Sequence, residues 1–66
     1  MTFGFKIYNL RKEVSKSQID ISKITGIPQT TLSDLENDKY LPDVKQVVLL
    51  ADFFKLTLDE LIRGVF

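Results

Sequence analysis

Gln29, Thr30, Ser33 and Asp34 are polar residues in an eight-residue stretch, Gln29 to Glu36, that also carries Leu32 and Leu35. On a helix turning about 100° per residue, with Leu32 at 0°, Leu35 falls at about 300°. Thr30, Ser33, Asp34 and Asn37 then lie on the far side, between about 100° and 200°, while Gln29 and Glu36 flank the leucines at about 60° and 40°. One side of such a helix is an apolar anchor, and the other offers amide, hydroxyl and carboxylate groups. Their chemistry is hydrogen bonding. A glutamine amide matches the N6/N7 edge of adenine, Ser and Thr suit several base edges or the thymine methyl, and a carboxylate accepts from the N4 amine of cytosine. Any surface helix turns polar groups outward, so this face needs support from its surroundings.

The composition narrows the options. With no cysteine and no histidine, the chain has no disulfide framework, no thiolate metal site and no imidazole base. Paired carboxylates in a pocket-forming context, a nucleophile–base pair and a phosphate-cradling loop are all missing from the pattern, so neither an enzyme nor a cofactor, metal or small-molecule substrate is expected. Sixty-six residues suit one domain with one modest core. The longest apolar run, Val47 to Ala51, is far short of the ~20 residues that span a bilayer. No signal-peptide pattern opens the chain, and a cytoplasmic setting without a membrane partner is the expectation. Net charge is zero, but residues 1–33 hold five basic and two acidic groups while residues 34–66 hold four basic and seven acidic. The halves are therefore +3 and −3, and a dipolar domain of this kind orients one basic side toward a polyanion.

The elements that must position the polar face read as five short helices with no strand signal. A first helix over about 5–14 puts Phe3, Ile7, Leu10, Arg11 and Val14 on one stripe, a charge among apolar groups. Phe5 and Tyr8 lie off that stripe and are expected against the fifth helix. A second helix over about 18–25 begins at Ser17, whose cap Asp20 can reciprocate, turns Ile21 and Ile24 inward, and stops at Gly26. The third covers about 29–36 behind Pro28, which fixes φ without losing a needed N–H. After a loop through Pro42, the fourth covers about 43–54 with Val44, Val47, Leu50, Ala51 and Phe54 inward. Thr57 and Glu60 form a capping box for the fifth, about 58–64.

One continuous helix would bury similar area with fewer unsatisfied ends than two short helices around Gly26-Ile27-Pro28. The break makes sense if the second of the pair must project at a steep angle. In a helix-turn-helix, one helix lies across a DNA backbone and the next enters the major groove.

The pattern Ser17-Gln18, Ile21-Ser22, Gly26-Ile27, Gln29, Thr31-Leu32-Ser33, Leu35-Glu36-Asn37, Pro42, Leu50-Ala51-Asp52 and Leu58-Asp59-Glu60-Leu61 resembles the phage repressor and Cro-like helix-turn-helix family, also called the xenobiotic-response-element type. The resemblance runs from about Ile7 to Ile62. It implies an all-α, five-helix, lambda-repressor-like DNA-binding domain over residues 1–66, with the helix-turn-helix at about 17–37. It implies that Gln29, Thr30, Ser33 and Asp34 face bases. Ser17, Gln18, Thr31, Asn37, Lys39 and Tyr40 would meet the DNA backbone, the loop after the third helix largely through main-chain N–H groups, and Gln18 would also brace the recognition helix. Lys16 and Lys23 stand near enough to the second helix to reach phosphate, whereas Lys6, Lys12 and Lys55 read as solvated. Arg11 and Glu36 match a partly buried ion pair of structural importance, which explains the charge in the apolar stripe.

Four positions depart from the family pattern. Asp34 brings a negative charge to the reading face, Asp38 stands where a glycine is common, and Leu49 and Phe53 are apolar where the family is more often polar or small. Leu49 and Phe53, with Ile62, Val65 and Phe66, suit a dimer surface; equally, the fifth helix and the tail could cover them, or a further domain could. The expected activity is sequence-specific binding of a double-stranded, pseudo-palindromic operator by a homodimer, as a bacterial or phage transcriptional regulator, most simply a repressor. The rival expectation is a protein-interaction module, such as an antitoxin or anti-repressor, that keeps the fold without strong DNA binding.

Overall fold

The structure, a computed structural model, describes residues 1–65. Five α-helices follow one another: α1 (Phe3–Glu13), α2 (Gln18–Thr25), α3 (Gln29–Glu36), α4 (Val44–Phe54) and α5 (Leu58–Ile62). No strand occurs among the described residues. α3 packs on α1 and α2, α2 also packs on α4, and α5 closes against α4. The core gathers Phe3 and Ile7 of α1, Ile21 of α2, Ile27 of the turn, Leu32 and Leu35 of α3, Leu50 and Ala51 of α4, and Leu61 of α5. Each fully buried Leu or Ile contributes about 1.5–3 kcal/mol relative to exposure, and every helix supplies at least one core residue.

Side-chain caps start four of the five helices. Thr2 accepts from the amide of Phe5, and Ser17 and Asp20, Asp43 and Gln46, and Thr57 and Glu60 form reciprocal capping boxes. α3 begins instead at Pro28, whose φ of −56° leads into the helix without a side-chain cap. Gly26 ends α2 in the left-handed conformation at φ 81°. Three further left-handed residues are not glycine: Ser15, Asp38 and Lys55, just past α1, α3 and α4. Each anchors the same reversal. Its amide reaches back to a carbonyl three residues earlier (Lys12, Leu35, Asp52), and the next amide reaches back five (Arg11, Asp34, Ala51).

Several packing expectations fail. Ile24 is 63% exposed and Val44 78% exposed, although both were expected inward. α2 turns Ile21 and Thr25 to the interior, the Thr25 hydroxyl donating to the Ile21 carbonyl and accepting from the Ile27 amide, and Ile27 of the following turn is buried in the core. The buried arc of α4 centres on Leu50, so Val44 in the first turn projects past the core. Val14 at the end of α1 is exposed, as are Phe5 and Tyr8, which do not pack away against α5. Lys6 is not merely solvated: its ammonium donates to the Glu60 and Arg63 carbonyls and ties α1 to the end of α5. α1 starts at Phe3 rather than 5 because Thr2 caps it, and α5 ends at Ile62 because Arg63 is extended.

Candidate nucleic-acid interface

The site is built on α3. Leu32 and Leu35 are each 1% exposed, so the back of the helix is fixed in the core. Gln29 and Thr30 are exposed, and Thr31, Ser33 and Asp34 are half-buried. The Gln29 amide nitrogen donates to the Gln18 side-chain oxygen at 3.4 Å, a long hydrogen bond that links the first residues of α2 and α3. Ser17 stands beside this link. Its hydroxyl accepts from the Asp20 amide and its own amide donates to the Asp20 carboxylate. These bonds, backbone first, hold the Asp20 carboxyl below the ordinary aspartate range.

α3 is held at its far end by α1. Arg11 Nε lies 2.7 Å from Glu36 Oε2 and Nη2 lies 3.0 Å from Oε1, a two-pronged pair whose side chains are 11% and 7% exposed. Arg11 Nη1 donates to the Lys16 carbonyl, so one guanidinium spans α1, the α1–α2 turn and α3. Its hydrogen bonds to Glu36 raise its pKa above the ordinary value, against the opposing effect of burial. The Tyr8 ring lies 5.4 Å from this guanidinium and 5.5 Å from the Lys12 ammonium. Gly4 completes the junction. A Cβ there would overlap the carbonyl oxygens of Leu35 and Glu36, and its amide donates to Asp38 Oδ1 at 2.9 Å. The spacing of the sequence does not expose this junction, because Gly4 and Asp38 lie 34 residues apart.

The loop after α3 departs from expectation. The amides of Asn37, Asp38 and Lys39 donate to the carbonyls of Ser33, Leu35 and Asp34, so they are not free for a ligand. The Asn37 side-chain amide also donates to the Ser33 carbonyl. Among the described residues, the amides of Tyr40 and Leu41 bond to no protein group and are the main-chain donors the loop leaves open. Tyr40 itself is exposed, and the Lys39 ammonium lies 3.3 Å from Asp34 Oδ1.

The residues considered for a dimer surface lie differently from one another. Leu49, Phe53, Ile62 and Val65 are partly buried against the core, with the Phe53 and Phe54 rings edge to face at 4.9 Å. Phe66 lies outside the described residues. Other apolar side chains are exposed to solvent, Val44, Val48 and Leu58 among them. Between α4 and α5 Val44, Val48 and Leu58 border a groove of about 240 Å³, lined also by Pro42, Val47 and Ile62.

A helix-turn-helix family model matches residues 7–61. The chain belongs to the helix-turn-helix family. Among curated relatives, it is 38% identical over 58 residues to the ImmF control region 10 kDa protein of Bacillus phage phi105, covering 88% of this chain and 64% of that protein. It is 30% identical to the cryptic phage CTXphi transcriptional repressor RstR of Vibrio cholerae, over 85% of this chain and 50% of the relative. It is 28% identical to the transcriptional activator BcrR of Enterococcus faecalis, over 97% of this chain and 31% of the relative. The chain thus spans less than two thirds of the length of each. In fold it is similar to the P22 c2 repressor, solved in complex with synthetic operator 9T, at a TM-score of 0.88 and 22% identity over 97% of both chains.

Proposed function

We infer that this domain binds double-stranded DNA in a sequence-specific manner and regulates transcription, with α3 in the major groove. The observation that carries this is the two-sidedness of α3. Its leucines are locked in the core while Gln29, Thr30, Ser33 and Asp34 stand on the open side, braced by Gln18 at the start of α2. Membership of the helix-turn-helix family supports it, as do relatives named as a transcriptional repressor and a transcriptional activator; repression is the sign we propose, on the likeness to the repressor RstR.

On this reading Gln29 and its three neighbours meet base edges. Ser17, Gln18 and Thr31 meet phosphates on one side, and Asn37, Lys39, Tyr40 and the open amides of the loop meet them on the other. The partner is a pseudo-palindromic operator bound by a homodimer in the cytoplasm. The groove between α4 and α5 suits the dimer contact, because neither helix is the main support of α3, and two copies joined there leave both α3 faces open.

Selection of bound duplexes from a random pool tests the reading. A two-fold repeat with half-sites about one helical turn, ~34 Å, apart is the expected result. On the selected site Gln29→Ala should cost about 1–3 kcal/mol while leaving random-sequence binding intact. Equal loss on both duplexes would remove Gln29 as a reader. The rival, a protein-interaction module, draws on Asp34 and the zero net charge; it predicts no enriched duplex and no steep loss of affinity with salt.

A further inference from the structure

Resting on the DNA reading of α3, we propose that Asp34 and Lys39 form a conditional clamp, in which a phosphate contact by Lys39 is released only when Asp34 meets its base. A carboxylate on a helix aimed at a polyanion is unfavourable by itself, and it repels phosphate at every sequence. In this chain it does not stand alone. The Lys39 ammonium lies 3.3 Å from Asp34 Oδ1, and the Lys39 amide donates to the Asp34 carbonyl at 3.0 Å. The left-handed turn at Asp38 brings the lysine back over the last turn of α3.

Asp34 and Lys39 are also the two members of the candidate interface whose ligands differ in kind. Asp34 has only acceptors, so on a duplex its one useful partner is a donor such as the N4 amine of cytosine. Lys39 has only donors, and its useful partner is phosphate. Off the correct site, each satisfies the other. Lys39 then makes no phosphate contact, because leaving Asp34 would strand a bare carboxylate against the DNA backbone. On the correct site the base amine takes over Asp34, and Lys39 is free to reach phosphate.

Phosphate contacts ordinarily carry no sequence information. Here one of them reports on a base. The Lys39 side chain is 66% exposed and that of Asp34 34%, so the pair is solvent-facing and exchangeable, as a clamp that must open requires.

The test compares the 66-residue chain with D34N, K39Q and the double variant on two duplexes of equal length, one selected from the random pool and one of random sequence. Thermal melting confirms that each is folded. Long-range electrostatics acts on both duplexes alike and cancels in the ratio of their affinities. The parent should show a steeper dependence of log affinity on log salt on the selected duplex than on the random one, with about 0.9 of the difference due to Lys39. D34N should strengthen random-duplex binding and steepen its slope by about 0.9. K39Q should weaken selected-duplex binding. D34N should lower the affinity ratio severalfold and the double variant little further, while K39Q should flatten the salt slope of the selected duplex by about 0.9 and leave that of the random duplex unchanged.

If K39Q flattens the salt slope of both duplexes equally, Lys39 is an ordinary phosphate contact and the clamp is wrong. If adding K39Q to D34N leaves the random-duplex slope unchanged, D34N did not free Lys39 for phosphate and the clamp is again wrong. If the parent binds neither duplex with a salt dependence, the DNA reading of α3 itself falls, and the clamp with it.

Discussion

Arg11 decides more than any other single residue how α3 is presented. It sits in the apolar stripe of α1 because its guanidinium is matched by both Glu36 oxygens and the Lys16 carbonyl. Removing one partner of such a pair leaves the other charge mostly shielded from water and unpaired. Arg11→Ala should therefore cost about 3 kcal/mol, measured by urea denaturation, a large share of the ~3–10 kcal/mol a domain of this size has. Replacing both Arg11 and Glu36 by Met should recover much of that loss, since no charge is stranded. An unchanged urea midpoint in Arg11→Ala would show that the pair contributes nothing. Asp20 acts through its protonation. Its folded pKa is depressed, so the unfolded state binds the proton more readily in acid. The stabilisation is complete above the unfolded value, near pH 4, and disappears as pH falls through the lower folded value. Asp20→Asn should flatten that part of the stability curve below about pH 4, and parallel curves for parent and variant would refute the role.

The elements are shaped by their ends as much as by their faces. Three helices close on left-handed residues with a Cβ, which carry a steric cost glycine avoids. Lys55→Gly should stabilise the domain by about 0.5–1 kcal/mol, because Lys55 is exposed and its side chain makes no hydrogen bond or ion pair among the described residues. Asp38→Gly should go the other way, by about 1 kcal/mol, since the Asp38 carboxylate accepts the Gly4 amide at the start of α1. Opposite signs for the same backbone change, read from urea midpoints, would separate the conformational cost from the side-chain contact. Asp38 thus carries both the left-handed turn and the bond to the Gly4 amide.

At the scale of the whole molecule, the reading face and the apolar groove lie on different helices. α3 rests chiefly on α1 and α2, and the groove belongs to α4 and α5. Val44 borders that groove and has little contact with the core, so Val44→Lys should change monomer stability by less than about 0.5 kcal/mol. The same change should weaken self-association in sedimentation experiments and lower affinity for a two-half-site duplex, with little effect on a single half-site. Unaltered self-association would exclude this groove as the contact between copies.

The residue order alone was enough for the five helices, the Ser17–Asp20 and Thr57–Glu60 boxes, the Gly26 break and the Leu32/Leu35 anchor. Each depends on local periodicity or on contacts three or four residues apart, which the order of residues contains directly. The inward placement of Ile24 and Val44 was misjudged for a related reason. A helical wheel gives the relative angle of side chains but not where the core lies, and on a helix of two turns a small rotation moves an isoleucine from interior to solvent. Only the tertiary structure put Gly4 against the end of α3, turned the amides after α3 back on their own helix, and brought Lys39 over Asp34. The first depends on which helices meet, which is decided by groups distant along the chain. The other two are contacts three to five residues apart that hang on the left-handed turn at Asp38, where no glycine marks the turn.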